Sequence, residues 1–278
     1  EDLAANDIEA ISFIYNIPLW LINLWISEFG RDKTEDLCAW FNEQPKLTAR
    51  INTILIDIPQ CLTMLNEQGW AITQDSNYED IIYINSHRGS LEKSEAFIKG
   101  YITFMDKASM LVARLVNPQP GECILDCCAA PGGKSMYMAT LMDNVGSLMS
   151  CDIHEHKIEL MNSNAERLGA SIVHTKVQDA TKLPDSWNSY FDRVLVDAPC
   201  SGLGILQKKL DMRWRKQESI LRELPPLQLA ILERAAMTVK EKGYLIYSTC
   251  TLNYKENEEV VESFLQKHKE FSIIPVAD

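Results

Sequence analysis

Apolar positions in the first part of the chain follow mainly a helical period, interrupted by two short strand-like runs. Pro18 opens the stretch Leu19-Trp20-Leu21-Ile22-Asn23-Leu24-Trp25-Ile26 and Gly30 follows it, the arrangement of a helix with proline at its start and glycine past its end. Thr34 is placed to cap a helix over Glu35 to Phe41. Leu47 to Asn52 and Ile81 to Ile84 have the pattern of strands, and Pro59 to Asn66 that of a helix ending near Gly69. Met105 to Val116 is again helical and stops before Asn117-Pro118, because proline disfavours helix in the residue preceding it.

Beyond Pro118 the pattern changes. Apolar runs at Cys123 to Cys127, Ser147 to Asp152, Ser171 to Val177, Phe191 to Val196 and Tyr244 to Thr249 alternate with helical stretches at Lys134 to Leu141, Glu155 to Leu168 and Leu227 to Val239. Such alternation predicts an α/β fold, a parallel sheet with helices on both faces, preceded by a smaller α+β region. The expected division is residues 1–99 and 100–278. Ligands of open parallel sheets bind beyond the carboxyl ends of the strands, so the residues following each run are where chemistry is expected.

Composition narrows the classes. No run of about 18 apolar residues occurs, so no membrane span is expected. The start at Glu1-Asp2 is no signal peptide, and the expected location is the cytoplasm. Eight cysteines, including the adjacent Cys127-Cys128, do not form the framework of a small secreted scaffold and read as reduced thiols. Cys123, Cys127, Cys128 and Cys151 lie near His154 and His156, but no Cys-x-x-Cys occurs, and the alternation through Glu122 to Asp126 makes those cysteines small buried hydrophobes. No metal is expected.

A net charge of −12 argues against a protein that coats nucleic acid non-specifically. Locally the balance reverses. Between Gln207 and Arg222, Lys208, Lys209, Arg213, Arg215, Lys216 and Arg222 face only Asp211 and Glu218, with Trp214 among them. Lys208, Lys209, Arg213, Trp214 and Arg215 are candidate RNA contacts; a solvated helical surface is the alternative.

The first run of the parallel region leads into Asp126-Cys127-Cys128-Ala129-Ala130-Pro131-Gly132-Gly133-Lys134-Ser135 and then a helix. Small residues there let the backbone approach a ligand, and the helix N-terminus suits a carboxylate or phosphate. A nucleotide phosphate is one possibility, since Gly133-Lys134-Ser135 resembles the end of a P-loop; however, Cys128 stands where that loop needs glycine. The methionine end of S-adenosylmethionine is the other. Asp152 could then hold the ribose hydroxyls and Asp179 face the adenine, although a helix cap and a surface turn explain these acids too.

Two thiols complete the candidate chemistry. Cys200 follows Val194-Leu195-Val196-Asp197-Ala198-Pro199, and Cys250 follows Tyr244-Leu245-Ile246-Tyr247-Ser248-Thr249, so each lies just past a buried run. Carbon 5 of cytosine is a poor nucleophile, and methylating it requires a thiolate to add first at carbon 6. Asp197 could hold the N3 and exocyclic amine edge of such a base. An inert buried thiol is the alternative for either cysteine.

The motifs Asp126 to Lys134, Asp197-Ala198-Pro199-Cys200-Ser201 and Ser248-Thr249-Cys250-Thr251 resemble those of the RsmB/Sun (NOL1/NOP2/Sun-type) family of RNA cytosine-5 methyltransferases. The resemblance extends through Gly100-Tyr101-Ile102-Thr103 with Asp106 and Ser109, Asp211-Met212-Arg213-Trp214, and Glu256-Asn257-Glu258. Upstream, Leu19-Trp20-Leu21 with Trp25, Pro45 and Arg50-Ile51-Asn52 resemble the small domain of the bacterial 16S rRNA enzyme.

The resemblance implies a Rossmann-like S-adenosylmethionine-dependent methyltransferase sheet with a smaller N-terminal α+β domain. It implies Cys250 as nucleophile, Cys200 as the thiol assisting product release and Asp197 as the residue orienting the base. Cys128, Ala129, Ala130, Pro131, Gly132, Gly133, Lys134, Asp152, Asp179 and Asp197 would position the cofactor. Lys134 is also placed to lower a nearby thiol's pKa. The implied partner is RNA, 16S rRNA in particular, and the chain is expected to act as a monomer.

Three departures stand out: Met105 replaces a usual glutamine, no NusB-like domain precedes Glu1, and no glycine- and phenylalanine-rich hairpin follows before Asp278. A piece of a longer protein is therefore expected. A P-loop NTPase and a non-catalytic RNA-binding relative are the competing readings.

Overall fold

The computed structural model describes residues 5–275, so the terminal positions Glu1 and Asp278 lie outside the described residues. In chain order, α1 (Ala5–Tyr15), α2 (Leu19–Phe29) and α3 (Arg31–Asn42) come first. They are followed by β1 (Thr48–Ile51), α4 (Ile58–Glu67), β2 (Ala71–Gln74), β3 (Ile81–Ser86), α5 (Glu95–Ile98), β4 (Ile102–Phe104) and α6 (Lys107–Leu115). Next come β5 (Cys123–Asp126), α7 (Gly133–Leu141), β6 (Ser147–Asp152), α8 (Glu155–Leu168), β7 (Val173–Val177) and β8 (Phe191–Asp197). The last are α9 (Met212–Arg215), α10 (Ile220–Ala236), β9 (Val239–Ser248) and α11 (Glu258–Lys267).

By compactness the described chain forms two units, one of residues up to 45, 199–229 and 249–272, the other of 46–198, 230–248 and from 273 on. This division does not follow the expected boundary between 99 and 100. The small antiparallel sheet, ordered β2-β3-β1-β4, runs past that boundary to β4 and belongs to the same unit as the parallel sheet, ordered β7-β6-β5-β8-β9. β5 is central in the parallel sheet, and the strand order reverses between β5 and β8. That reversal opens the crevice where parallel sheets take ligands.

Polar groups bind the two sheets of this unit together. Arg50, on β1 and fully buried, donates through Nη1 to Thr140 Oγ1 of α7 at 3.1 Å, and its guanidinium lies 5.0 Å from the Tyr137 ring centroid. Burial lowers its pKa to about 10. Tyr137 donates to Asp80 Oδ2 at 2.7 Å, and Arg114 pairs with the other Asp80 oxygen. Asn52 Nδ2 donates to the carbonyls of Gly100 and Leu168, each at 2.9 Å. Through these ties, buried donors on and beside β1 find acceptors on α7 and α8.

In the other unit, Ile17, Leu21, Ile22, Trp25 and Phe41 of the N-terminal helical region pack with Leu203, Leu206 and Leu221. Gly30, at φ +81°, ends α2 and starts α3. Thr34 is therefore not a cap: it lies inside α3, and its hydroxyl donates to Gly30 O at 2.7 Å. The helix expected from Leu227 to Val239 instead spans Ile220 to Ala236, with Pro225 and Pro226 inside it. Buried Leu221, Ile231, Leu232 and Ala235 hold it despite the missing donors. Val239 opens β9.

Gly100 has φ +72°, and a β-carbon there would lie 2.0 Å from Arg167 O. Gly100→Ala therefore combines left-handed strain with a backbone clash. It should lower unfolding free energy by about 2–4 kcal/mol in a urea titration; an unchanged midpoint would contradict the close approach.

Candidate active site

Backbone bonds shape the loop from Cys127 to Gly132. Cys127 N donates to Leu195 O at 2.9 Å, Ala129 N to Cys151 O at 2.7 Å and Gly132 N to Ala129 O at 2.7 Å. The Ala130-Pro131 peptide is cis. Gly132 adopts φ +96°, with a would-be β-carbon only 3.2 Å from Met161 Cγ, and no side chain caps α7 after it. Glycine is needed at this turn, and the backbone N–H groups of Gly133 to Ser135 open the helix. Burial pushes the Cys127 and Cys128 thiols well up and Cys151 to about 12, so these cysteines are inert packing groups.

Acids stand at or just beyond the carboxyl ends of β5, β6, β7 and β8. Asp126 is fully buried; its Oδ2 accepts from Ser135 Oγ at 2.7 Å, while Oδ1 has no hydrogen-bond partner. Burial raises its pKa to about 7, repulsion from Asp197 adding to the shift while Ser135 and Lys134 oppose it. Asp152 accepts from His154 N at 3.0 Å and lies 3.5 Å from Lys157 Nζ. Asp179 closes its own turn, its Oδ1 accepting from Thr181 N at 2.9 Å and Thr181 Oγ1 at 2.7 Å, and these bonds lower its pKa.

Asp197 accepts from Lys134 Nζ at 2.6 Å and from Ser248 Oγ at 2.7 Å. One carboxylate thus joins the first turn of α7 to the ends of β8 and β9. The charge of Lys134 is committed to this carboxylate, which replaces the expected service to a thiol. Asp126, Ser135 and Ser248 have no role predicted from the sequence; the signal for Asp126 is its place at a strand end, like that of Asp197.

In the other unit, Cys200 and Cys250 sit with their sulfurs 3.1 Å apart, and Cys250 N donates to Cys200 Sγ at 3.2 Å. Neither is in a disulfide; Cys250 is exposed and Cys200 half-buried. The hydrogen bond to Cys250, then burial, push the Cys200 thiol far up. Either sulfur can donate its proton to the other.

The basic segment is only partly a surface. Lys208, Lys209, Trp214 and Arg215 are exposed, with Arg215 paired to Asp211 at 3.2 Å. Arg213 is not: it is 3% exposed and donates to Phe41 O at 2.6 Å and Asn42 Oδ1 at 2.7 Å, satisfying the end of α3. Its expected RNA contact is thus replaced by an internal one, because α3 ends with unpaired carbonyls that a guanidinium fork fits.

The buried Asp126 generates a pH signature. Its folded pKa lies above the usual 3.8, so the native state binds the proton more tightly than the unfolded chain, and stability falls as pH rises from about 4 through about 7. Asp126→Asn should gain on the wild type across that window by no more than about 4 kcal/mol, read from paired denaturant titrations. A pH-independent difference would rule out the shift.

Residues 113–277 match the family described as 16S rRNA methyltransferase RsmB/F, and residues 17–89 match the RsmF/B-like ferredoxin-like domain. The probable ribosomal RNA small subunit methyltransferase B of Bacillus subtilis strain 168 is 39% identical over 255 residues, covering 91% of this chain and 57% of that protein. The protein of the same description from Synechocystis is 37% identical over 268 residues, covering 94% and 59%. The chain thus spans less than two-thirds of the length of these curated relatives. The crystal structure of PH0851 is similar with a TM-score of 0.93 and 32% identity, covering 100% of this chain and 62% of that one. A P-loop assignment has no place beside these matches. The matched span runs from the last turns of α6 past α11 and includes every strand of the parallel sheet, and by it the chain belongs to the RsmB/F family of 16S rRNA methyltransferases.

Proposed function

We propose that this chain transfers a methyl group from S-adenosylmethionine to carbon 5 of a cytosine in RNA, 16S rRNA in particular, through a covalent adduct on Cys250. The observation that carries the reading is the pair of sulfurs 3.1 Å apart, with Cys250 exposed and Cys200 half-buried beside it. A nucleophile and a proton carrier are what the adduct cycle needs.

The residues fit the cofactor. The uncapped start of α7 offers backbone N–H groups to a carboxylate, the glycine turn admits close approach, and Asp152 stands one strand away to take ribose hydroxyls. The loop from Cys128 to Lys134, with Asp152, Asp179 and Asp197, would hold it; when bound, it supplies a methyl group on a sulfonium. Asp179 contributes with its Oδ1 already bonded to its own turn.

The Cys250 thiolate adds to carbon 6 of an unstacked cytosine, forming a carbon–sulfur bond and making carbon 5 nucleophilic. Asp197, an acceptor paired with Lys134, takes a hydrogen bond from the exocyclic amine and so aligns the base. After carbon 5 has gained the methyl group, a base removes its remaining proton. The electrons of that C–H bond restore the double bond and expel the Cys250 sulfur, to which Cys200 can give its proton.

RNA containing 5-fluorocytosine tests this, because fluorine at carbon 5 blocks the final elimination. The wild-type protein with S-adenosylmethionine should give a slow-migrating adduct on a denaturing gel. Cys250→Ala should give none, and Cys200→Ala should accumulate adduct even on ordinary RNA, with turnover falling about 10²-fold. An adduct that survives loss of Cys250 and disappears with Cys200 reverses the roles. RNA binding without adduct or turnover would favour the non-catalytic alternative.

Replacing exposed Lys208, Lys209 and Arg215 by alanine should weaken RNA binding and flatten the plot of log affinity against log salt by about 0.7 for each phosphate no longer neutralised. Arg213→Ala should instead lower stability, by about 2–4 kcal/mol, since it strands the acceptors it now satisfies. An unchanged salt slope in the triple variant removes the segment from the RNA path.

A further inference from the structure

Glu256 precedes α11 and is fully buried, as are Ser201, Gln228 and Asn253 around it, with Thr251 nearly so. Its Oε2 accepts from Ser201 N at 2.8 Å and Gln228 Nε2 at 2.9 Å; its Oε1 accepts from Asn253 Nδ2 at 2.9 Å and from the Ser201 hydroxyl. The Ser201 and Thr251 hydroxyls are 2.7 Å apart, and Gln228 Nε2 also donates to Pro199 O at 2.9 Å. Every residue in this set flanks one of the two thiols or holds a residue that does. Pro199 and Ser201 bracket Cys200, and Thr251 follows Cys250. Gly204 N adds a backbone tie to Cys250 O at 3.0 Å.

We propose that Glu256 is a positioning residue that sets the separation of the Cys200 and Cys250 sulfurs by fastening the segment around Cys200 to the segment after Cys250. The inference deepens the proposed cysteine chemistry and takes its purpose from that reading, but its geometry stands without it. Both carboxylate oxygens meet donors, which an acceptor-only group satisfies completely. An amide in its place turns one oxygen into an NH₂ group, and in either orientation that group faces an N–H donor, of Asn253 or of Gln228 and Ser201. Because Ser201 gives Glu256 both its backbone and its hydroxyl hydrogen, the mismatch falls on the residue next to Cys200.

Thiol capture reads the sulfur separation without RNA or cofactor. Diamide, an azo oxidant, takes one cysteine thiol across its N=N bond. The second cysteine then attacks that sulfur and expels the hydrazine nitrogen, breaking the S–N bond as the Cys200–Cys250 disulfide forms and leaving the reagent as its hydrazine, with two protons and two electrons moved. Added glutathione competes for the same displacement, so the ratio of disulfide to mixed disulfide, mapped by peptide mass spectrometry, gives the effective molarity of one thiol for the other.

Glu256→Gln should lower that effective molarity about tenfold or more, and Thr251→Val, which removes only the hydroxyl link to Ser201, at least about threefold. In the methyl-transfer assay kcat of Glu256→Gln should fall up to about 10²-fold with KM within about twofold. Thermal melts establish that each variant is folded, and Thr251→Val decides the question if Glu256→Gln is not. No Cys200–Cys250 disulfide in the wild-type protein, or wild-type partition in the folded variants, overturns the assignment. A wild-type protein that forms the disulfide but transfers no methyl group refutes the functional reading alone and leaves the positioning role intact.

Discussion

A parallel sheet buries its strands on both faces and leaves only their ends for polar chemistry, and the unit that holds the parallel sheet is organised by that constraint. β5 lies at the centre, with the order reversing between it and β8. The Lys134–Asp197 ion pair lies across that reversal, tying the start of α7 to the end of β8. Loss of either partner would leave a half-buried charge unmatched and would loosen the turn that precedes α7. Asp126 deepens the dependence: two acids near one lysine compete for it, and the more deeply buried one resists ionisation.

Strand ends are also the most legible part of the sequence. Short apolar runs mark all five parallel strands, and the residues following them mark the loop, the acids and both cysteines. The small sheet is less legible because β2 is mostly exposed and β4 has only three residues, so neither shows an apolar run. α10 is longer than its pattern predicts because two prolines look like a boundary, whereas tertiary burial keeps the helix continuous through them. Arg213 shows a different limit. A guanidinium amid exposed lysines has the same sequence signature whether it meets a phosphate or two groups at a helix end, and only the fold places Phe41 O and Asn42 within its reach.

Three acids illustrate how neighbours divide labour among similar groups. Asp197 meets a cation and a hydroxyl and stays half-exposed, so its carboxylate remains reachable from solvent. Asp126 meets one hydroxyl, keeps one oxygen unbonded in the interior and is pushed toward the neutral form, so it couples the fold to pH. Glu256 is fully buried and surrounded by amide, hydroxyl and backbone donors. An acid so completely enclosed contributes by direction rather than by charge transfer. Its donors come from segments adjoining both thiols, so their relative placement is fixed by hydrogen-bond geometry to within a few tenths of an ångström. In the proposed cycle a proton passes between two sulfurs 3.1 Å apart, and the buried bonds around Glu256 constrain the segments that carry them.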